Sequence, residues 1–143
     1  MLKFPLYEYQ TLIRERHLDS FGHVNNATYL EIAEEARWEM LSTTGYDFNF
    51  VHTARKGPTI LDIKIEFKRE LKLRDLLTVE SFLVEYKRKV GTMQQDFYIA
   101  DSASSSSILA STLTLTLGLF DMEKRRLISP TPEWAKALSL PSE

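Results

Sequence analysis

The sequence predicts an α+β fold in which one antiparallel sheet curls around a single long helix. Three observations carry this. Residues 59–120 repeat a period-two alternation of apolar and polar side chains, the mark of half-buried strands. A long, broadly apolar helical pattern occurs at residues 27–44. The later strands are joined by short links, which sets sequential strands side by side and antiparallel. A sheet with one apolar face must cover it, and that helix is the one long element available to do so.

The first element is a strand at residues 6–16, where Tyr7, Tyr9, Thr11 and Ile13 share a face. A loop follows. Asn25 or Asn26 makes a good N-cap, because a side-chain oxygen there accepts from a free helix N–H. On the helix, Tyr29, Ile32, Ala33, Ala36 and Met40 form an apolar stripe. Leu30, Ala33, Arg37 and Leu41 add a second, partly apolar line, so the helix is substantially enclosed. Gly45 supplies its stop. Residues 46–58 read as a loop with a short turn near Phe50. In the strand at 59–68, Leu61, Ile63, Ile65 and Phe67 point one way and charged residues the other. Further strands are read at 76–87, 92–100 and 108–120. Lys89-Val90-Gly91 marks a turn, and residues 101–107 a polar hairpin loop too short to separate domains. Residues 134–138 form a short terminal helix. The chain reads as a single domain, 1–143, a length that suits one core.

Composition narrows the function classes. The hydrophobic fraction is 43%, which argues against disorder. A formal net charge of −2 gives no reason to expect nucleic acid or an anionic membrane as partner. The absence of cysteine excludes disulfides, thiol nucleophiles and zinc–thiolate sites, and is compatible with a reducing compartment. The N-terminal MLKFPLYEYQ lacks the apolar core of a signal peptide. No run approaches the roughly 20 apolar residues of a membrane span. The expected location is cytoplasmic.

The chemistry concentrates in residues 17–37, HLDSFGHVNNATYLEIAEEAR. Asp19 is the only acid between Glu15 and Glu31, and it sits where strand gives way to helix. Gly22 permits a turn that a side chain would hinder. The next residues place free N–H groups at a helix N-terminus, where they can hold an oxyanion or polarise a carbonyl. A carboxylate beside such donors is a minimal acyl-transfer site, acting on water or attacking directly. Residue types leave that choice open. Asp, Asn and Gly before a helix are also common as plain caps and turns, and on spacing alone that reading carries more weight.

Asp19-Ser20-Phe21-Gly22-His23-Val24-Asn25-Asn26, with Tyr29, Glu34, Ala36 and Arg37, resembles the signature of hotdog-fold acyl-CoA thioesterases, in the 4-hydroxybenzoyl-CoA thioesterase-like branch. The pattern D-x-x-G-H-V-N-N-x-x-Y, then E-x-A-R, is filled throughout. Ala110, Gly118, Asp121 and the closing Pro-Thr-Pro also fit, so the similarity spans nearly the whole chain. It is specific for the fold, fairly specific for thioester chemistry, and silent on the acyl group.

The resemblance implies an antiparallel five- to six-stranded sheet around a central helix. It implies a homodimer or homotetramer with active sites at the subunit interface. Asp19 would be the catalytic carboxylate and the backbone amide of Asn26 the group polarising the thioester carbonyl. Gly22, His23, Asn25 and His17 would contact the substrate. CoA is the leaving group and part of the substrate, so no metal or other cofactor is required. One departure stands out: many relatives carry an additional Asp where this chain has His17. On an extended segment His17 and Asp19 would share a face, so the imidazole could pair with the carboxylate or position water. A surface role is the alternative.

His23 shapes the site or the turn. His17 and His23 flank Asp19, but no third ligand stands at sensible spacing and His52 is isolated, which argues against a metal. Glu34 can pair with Arg37 at i,i+3, and a buried bond to Arg37 or the backbone is its expected use. A second catalytic carboxylate is the alternative. Lys87-Arg88-Lys89 and Lys124-Arg125-Arg126 are solvated strand ends or contacts to CoA phosphates. Trp38, Phe48 and Phe50 pack in the core or line an acyl pocket.

The expected function is hydrolysis of an acyl-CoA to free acid and CoA. A thioesterase acting on acyl carrier protein is one alternative. A non-catalytic acyl-CoA-binding module is another, since fold does not fix function, but a pure binder has little use for a carboxylate at an electrophilic carbon. A hydroxyacyl dehydratase would want a His in a differently built motif.

Overall fold

The structure, a computed structural model, describes residues 7–101 and 103–141. The expected start of the first strand at Leu6, the segment before it and Ser102 lie outside them. In chain order come β1 (Tyr7–Leu12), α1 (Asn26–Ser42), α2 (Phe48–Ala54), β2 (Lys56–Phe67), β3 (Leu76–Lys87), β4 (Val90–Ala100), β5 (Ser107–Asp121), β6 (Arg126–Ile128) and α3 (Pro132–Ala137). The sheet runs β1-β3-β4-β5-β2, antiparallel throughout, with β6 on β5. β4 pairs with β5 as far as Leu117, and β6 takes over opposite Leu119 to Asp121.

Alternation decides which face is covered. On β5, Leu113, Leu115, Leu117 and Leu119 are buried while the intervening Thr112, Thr114 and Thr116 are half-buried. The buried face meets Tyr29, Ile32, Ala33, Ala36, Met40 and Leu41 of α1 in one core. Glu31, Glu34 and Glu39 lie on the helix's outer side. This is the hotdog arrangement, and β3 spans the residues its alternation predicts.

Several elements differ from the sequence expectation. β1 stops at Leu12, because Ile13 ends the pairing with bonds to Asp75 and Arg74, and residues 15–17 then tighten into a 3-10 turn. Residues 48–54 are a helix and not a loop: Asp47 caps it by accepting from the Phe50 amide at 2.8 Å. β2 begins at Lys56 and contains Pro58, which an edge strand tolerates. A bulge at Leu61 lies between Ile60, opposite Leu117, and Asp62, opposite Thr116. It breaks the single face expected for Leu61, Ile63, Ile65 and Phe67. The β3–β4 turn falls on Arg88-Lys89, with Arg88 left-handed at φ 57°, so Val90 and Gly91 belong to β4. β6, with three residues, is too short for any periodicity. α3 starts at Pro132 behind the Thr131 cap and buries Trp134 completely. The Trp134 Nε1–H donates to the Tyr86 hydroxyl at 3.0 Å.

Candidate active site

The loop before α1 folds back on itself. Leu18 and Val24 form an isolated antiparallel bridge. The Asp19 amide donates to the His23 carbonyl at 2.8 Å, and the Gly22 amide to the Asp19 carbonyl at 3.0 Å. Gly22 sits at φ 79°, a conformation glycine adopts without strain. This turn aims two amides at the Asp19 side chain: Phe21 and His23 donate to Oδ1 at 2.9 and 3.0 Å. The His23 amide above all, and then that of Phe21, holds the carboxyl below its usual range against the opposing effect of burial. Asp19 is therefore ionised at neutral pH, and both bonds fall on one oxygen.

Asn25 resolves the choice of cap. Its Oδ1 accepts from the amides of Ala27 at 2.8 Å and Thr28 at 3.3 Å. Asn26 is the first residue of α1. With its two successors occupied by the cap, the Asn26 amide is the leading helix N–H for which no acceptor is found among the described residues. Anionic oxygen is favoured at such a terminus.

His17 lies elsewhere than expected. It ends the 3-10 turn, not an extended segment, and is 5% exposed. Its Nδ1 accepts from the Arg14 amide at 2.9 Å, which assigns the proton of the neutral ring to Nε2. That Nε2 is buried without a partner. Burial pushes its pKa down, Arg16 and Arg14 act the same way, and Glu35 and Glu31 on α1 oppose. No hydrogen bond joins His17 to Asp19 among the described residues, so the shared face is not formed. His23 is exposed, with Nε2 3.7 Å from Glu70 Oε1, a loose contact across the loop.

The Glu34–Arg37 pair is not formed either. Glu34 is exposed, and no ion pair within 4 Å joins it to Arg37 among the described residues. Arg37 instead points under the helix and is 9% exposed. Its Nη1 donates to Gln95 Oε1 at 2.9 Å. Gln95 Nε2 donates onward to the Ala33 carbonyl at 3.0 Å and Ser81 Oγ at 3.1 Å. Burial lowers the pKa of Arg37, and the field of Glu34 works the other way. Glu35 is a hydrogen-bond acceptor for the Tyr9 hydroxyl, at 3.0 Å.

A cleft opens between α1 and the β2 edge, lined by Glu34, Arg37, Trp38, Met40, Leu41, Pro58, Ile60 and Leu117. Trp38 lines it. Phe48 is 62% exposed with its ring 6.1 Å from Trp38, and Phe50 packs against Tyr46 at 4.7 Å. Gln95, Pro58 and Ile60 were not singled out. Gln95 carried a readable signal: it stands between Met93 and Phe97 on the inward face of β4, where a polar side chain needs buried partners. The basic clusters are strand ends, with Lys87 3.2 Å from Glu85 and Arg125 over the Phe120 ring at 5.1 Å. Among the described residues no three His, Asp or Glu side chains gather to hold a metal ion. No helix among the described residues is long and apolar enough to cross a membrane.

Comparison with known proteins places this geometry. The model of the thioesterase-like superfamily matches residues 13–138. The long-chain acyl-CoA thioesterase FadM of Escherichia coli is 38% identical over 86 residues, 60% of this chain. That alignment spans 64% of FadM, just under two thirds of its length. The crystal structure of YbaW, a probable thioesterase of Escherichia coli, superposes with a TM-score of 0.77 at 28% identity, covering 93% of this chain and 96% of the other. A Staphylococcus aureus protein solved in complex with CoA shares the fold at 17% identity, with a TM-score of 0.84 over 97% of this chain and 84% of its own.

Proposed function

The chain belongs to the thioesterase-like superfamily, and we propose that it hydrolyses acyl-CoA to the free acid and CoA at Asp19. One observation carries this: an ionised carboxylate, anchored through Oδ1 alone, stands seven residues before the open amide of Asn26 at a helix N-terminus. The thioester carbonyl oxygen would accept from the Asn26 amide, which strengthens as that oxygen gains negative charge. We assign Asp19 Oδ2, the oxygen that takes neither amide bond, as the nucleophile. It forms a bond to the carbonyl carbon, the C–S bond breaks, and CoA leaves as thiolate and takes a proton from water. Water then cleaves the mixed anhydride and regenerates the carboxylate. No metal or further cofactor enters. Gly22 and Asn25 act by shaping the turn and seating the helix amides, and His23 by bracing the loop.

Long-chain acyl groups are the proposed substrates, by relation to the Escherichia coli enzyme of that name. The apolar cleft beside α1 supports this. A second copy of the chain is the proposed partner: β2 is a sheet edge that exposes Leu61, Ile63 and Phe67.

The test is thiol release from short, medium, long and aromatic acyl-CoAs, wild type beside Asp19→Asn. Loss of at least about 100-fold in kcat with the melting temperature retained supports the assignment. Label from ¹⁸O-water appearing in Asp19 after turnover identifies the nucleophile. Unchanged activity in the variant overturns the site. Binding of acyl-CoA without release favours a binding module, and release only from acyl carrier protein moves the substrate.

A further inference from the structure

Among the described residues, Arg37 is the buried cation that the thioester chemistry leaves unexplained. A guanidinium carries five N–H donors. Here it is 9% exposed, and a single side-chain hydrogen bond, Nη1 to Gln95 Oε1, is found among the described residues. Gln95 cannot swing to meet the others, because its own amide is held by the Ala33 carbonyl and Ser81. No carboxylate lies within 4 Å of the guanidinium among the described residues. A buried charge normally has a counter-charge or a full set of acceptors, and an unmet donor kept from water is costly. This one lines the cleft between α1 and β2.

The cleft lies beside the later turns of α1, and β2 runs along the helix. Phe67, at the end of β2, lies edge-on to Tyr29 with ring centres 4.9 Å apart. Pro58 and Ile60, near its start, line the cleft together with Trp38 and Met40. β2 therefore tracks α1 from its first turn nearly to its last. From Asn26 to Arg37 is eleven residues (37 − 26), about 16 Å along the axis at roughly 1.5 Å per residue. Helical side chains lean toward the N-terminus, so the guanidinium sits nearer than its Cα. An extended acyl chain of medium length reaches it.

We propose that the α1–β2 seam takes the acyl chain, and that Arg37 selects acyl groups bearing an acceptor oxygen (hydroxyl or keto) far from the thioester. The inference rests on the thioesterase reading and names the substrate class within it. The unused guanidinium donors bond the distal oxygen. A plain alkyl chain seals the same donors off from water and leaves them unpaired, so it reacts less well. Gln95 is the positioning residue, since its bonds to Ala33 and Ser81 fix the fork that the substrate meets.

The test compares kcat/KM for dodecanoyl-CoA with its 10-oxo, 10-hydroxy and 12-hydroxy derivatives, in wild type, Arg37→Met and Arg37→Lys. The expected result is a wild-type preference of about tenfold or more for at least one oxygenated chain. The ratio falls to about one in Arg37→Met and to an intermediate value in Arg37→Lys. A wild-type ratio near one, with dodecanoyl-CoA hydrolysed, overturns this inference and leaves the thioesterase reading standing, whether or not the variants fold. Release from none of the four overturns both. A preference that survives in Arg37→Met also overturns it. So does a change of oligomeric mass in that variant with the ratio unmoved, which would make Arg37 a subunit contact.

Discussion

Asp19, Gly22 and Asn25 show how three small residues build an electrophile-ready corner. Asn25 ties down the Ala27 and Thr28 amides and leaves that of Asn26. Asn25→Ala should lower stability by about 1 kcal/mol and lower kcat by more than that loss explains, because the helix start frays where the carbonyl must dock. Thermal melts and turnover on one preparation check this. Gly22→Ala should behave differently. A Cβ there meets nothing within 4 Å, so only the left-handed backbone resists, at about 1–2 kcal/mol. These roles were legible because turn glycines and caps are local chemistry, read from a few adjacent residues. The direction of Arg37 was not. At i,i+3 spacing Glu34 looked like its partner, but the choice was made by Gln95 on β4, 58 residues away.

The element leading into the site has its own logic. His17 closes the 3-10 turn through Nδ1 and is buried, within the fields of Glu35 and Glu31 on α1 and of Arg16 and Arg14 on its own segment. Its folded pKa lies below the unfolded 6.5, so the neutral ring stabilises the fold above that value. The contribution is lost as pH falls through 6.5 toward the folded pKa, by at most about 1.4 kcal/mol per unit. Protonation also removes the Nδ1 acceptor of the Arg14 amide. Between pH 7.5 and 5.5 the melting temperature of the wild type should fall by more than that of His17→Asn, whose amide oxygen can replace Nδ1 without titrating. Parallel curves would show that His17 does not set this dependence. From the sequence this stretch looked like the end of a strand, since alternation ran through Ile13, and nothing local marked the turn. The helix at 48–54 was missed for a related reason: its Asp47 cap is a clear signal, but seven residues give too little period to register.

At the scale of the molecule, the sheet and its helix were readable because alternation and a 17-residue apolar helix repeat their message many times. The bulge at Leu61 was not, since it depends on the register with β5. That bulge matters beyond the protomer. It turns Leu61 out at 48% exposure, next to Ile63 at 39%, on a twelve-residue edge strand whose outer side pairs with nothing among the described residues. Leu30, on the first turns of α1, is 38% exposed. An edge this long and apolar, alone in water, is a template for another strand, and the acyl seam runs directly behind it. If a second copy covers the edge, Ile63→Lys should give monomers by light scattering at micromolar concentration, where the wild type is a dimer or larger. Its activity on long-chain acyl-CoA should fall even though Asp19 and Asn26 are untouched, because the seam loses its outer wall. A monomeric wild type with full activity would place the whole site within one chain and leave the exposed edge without a partner.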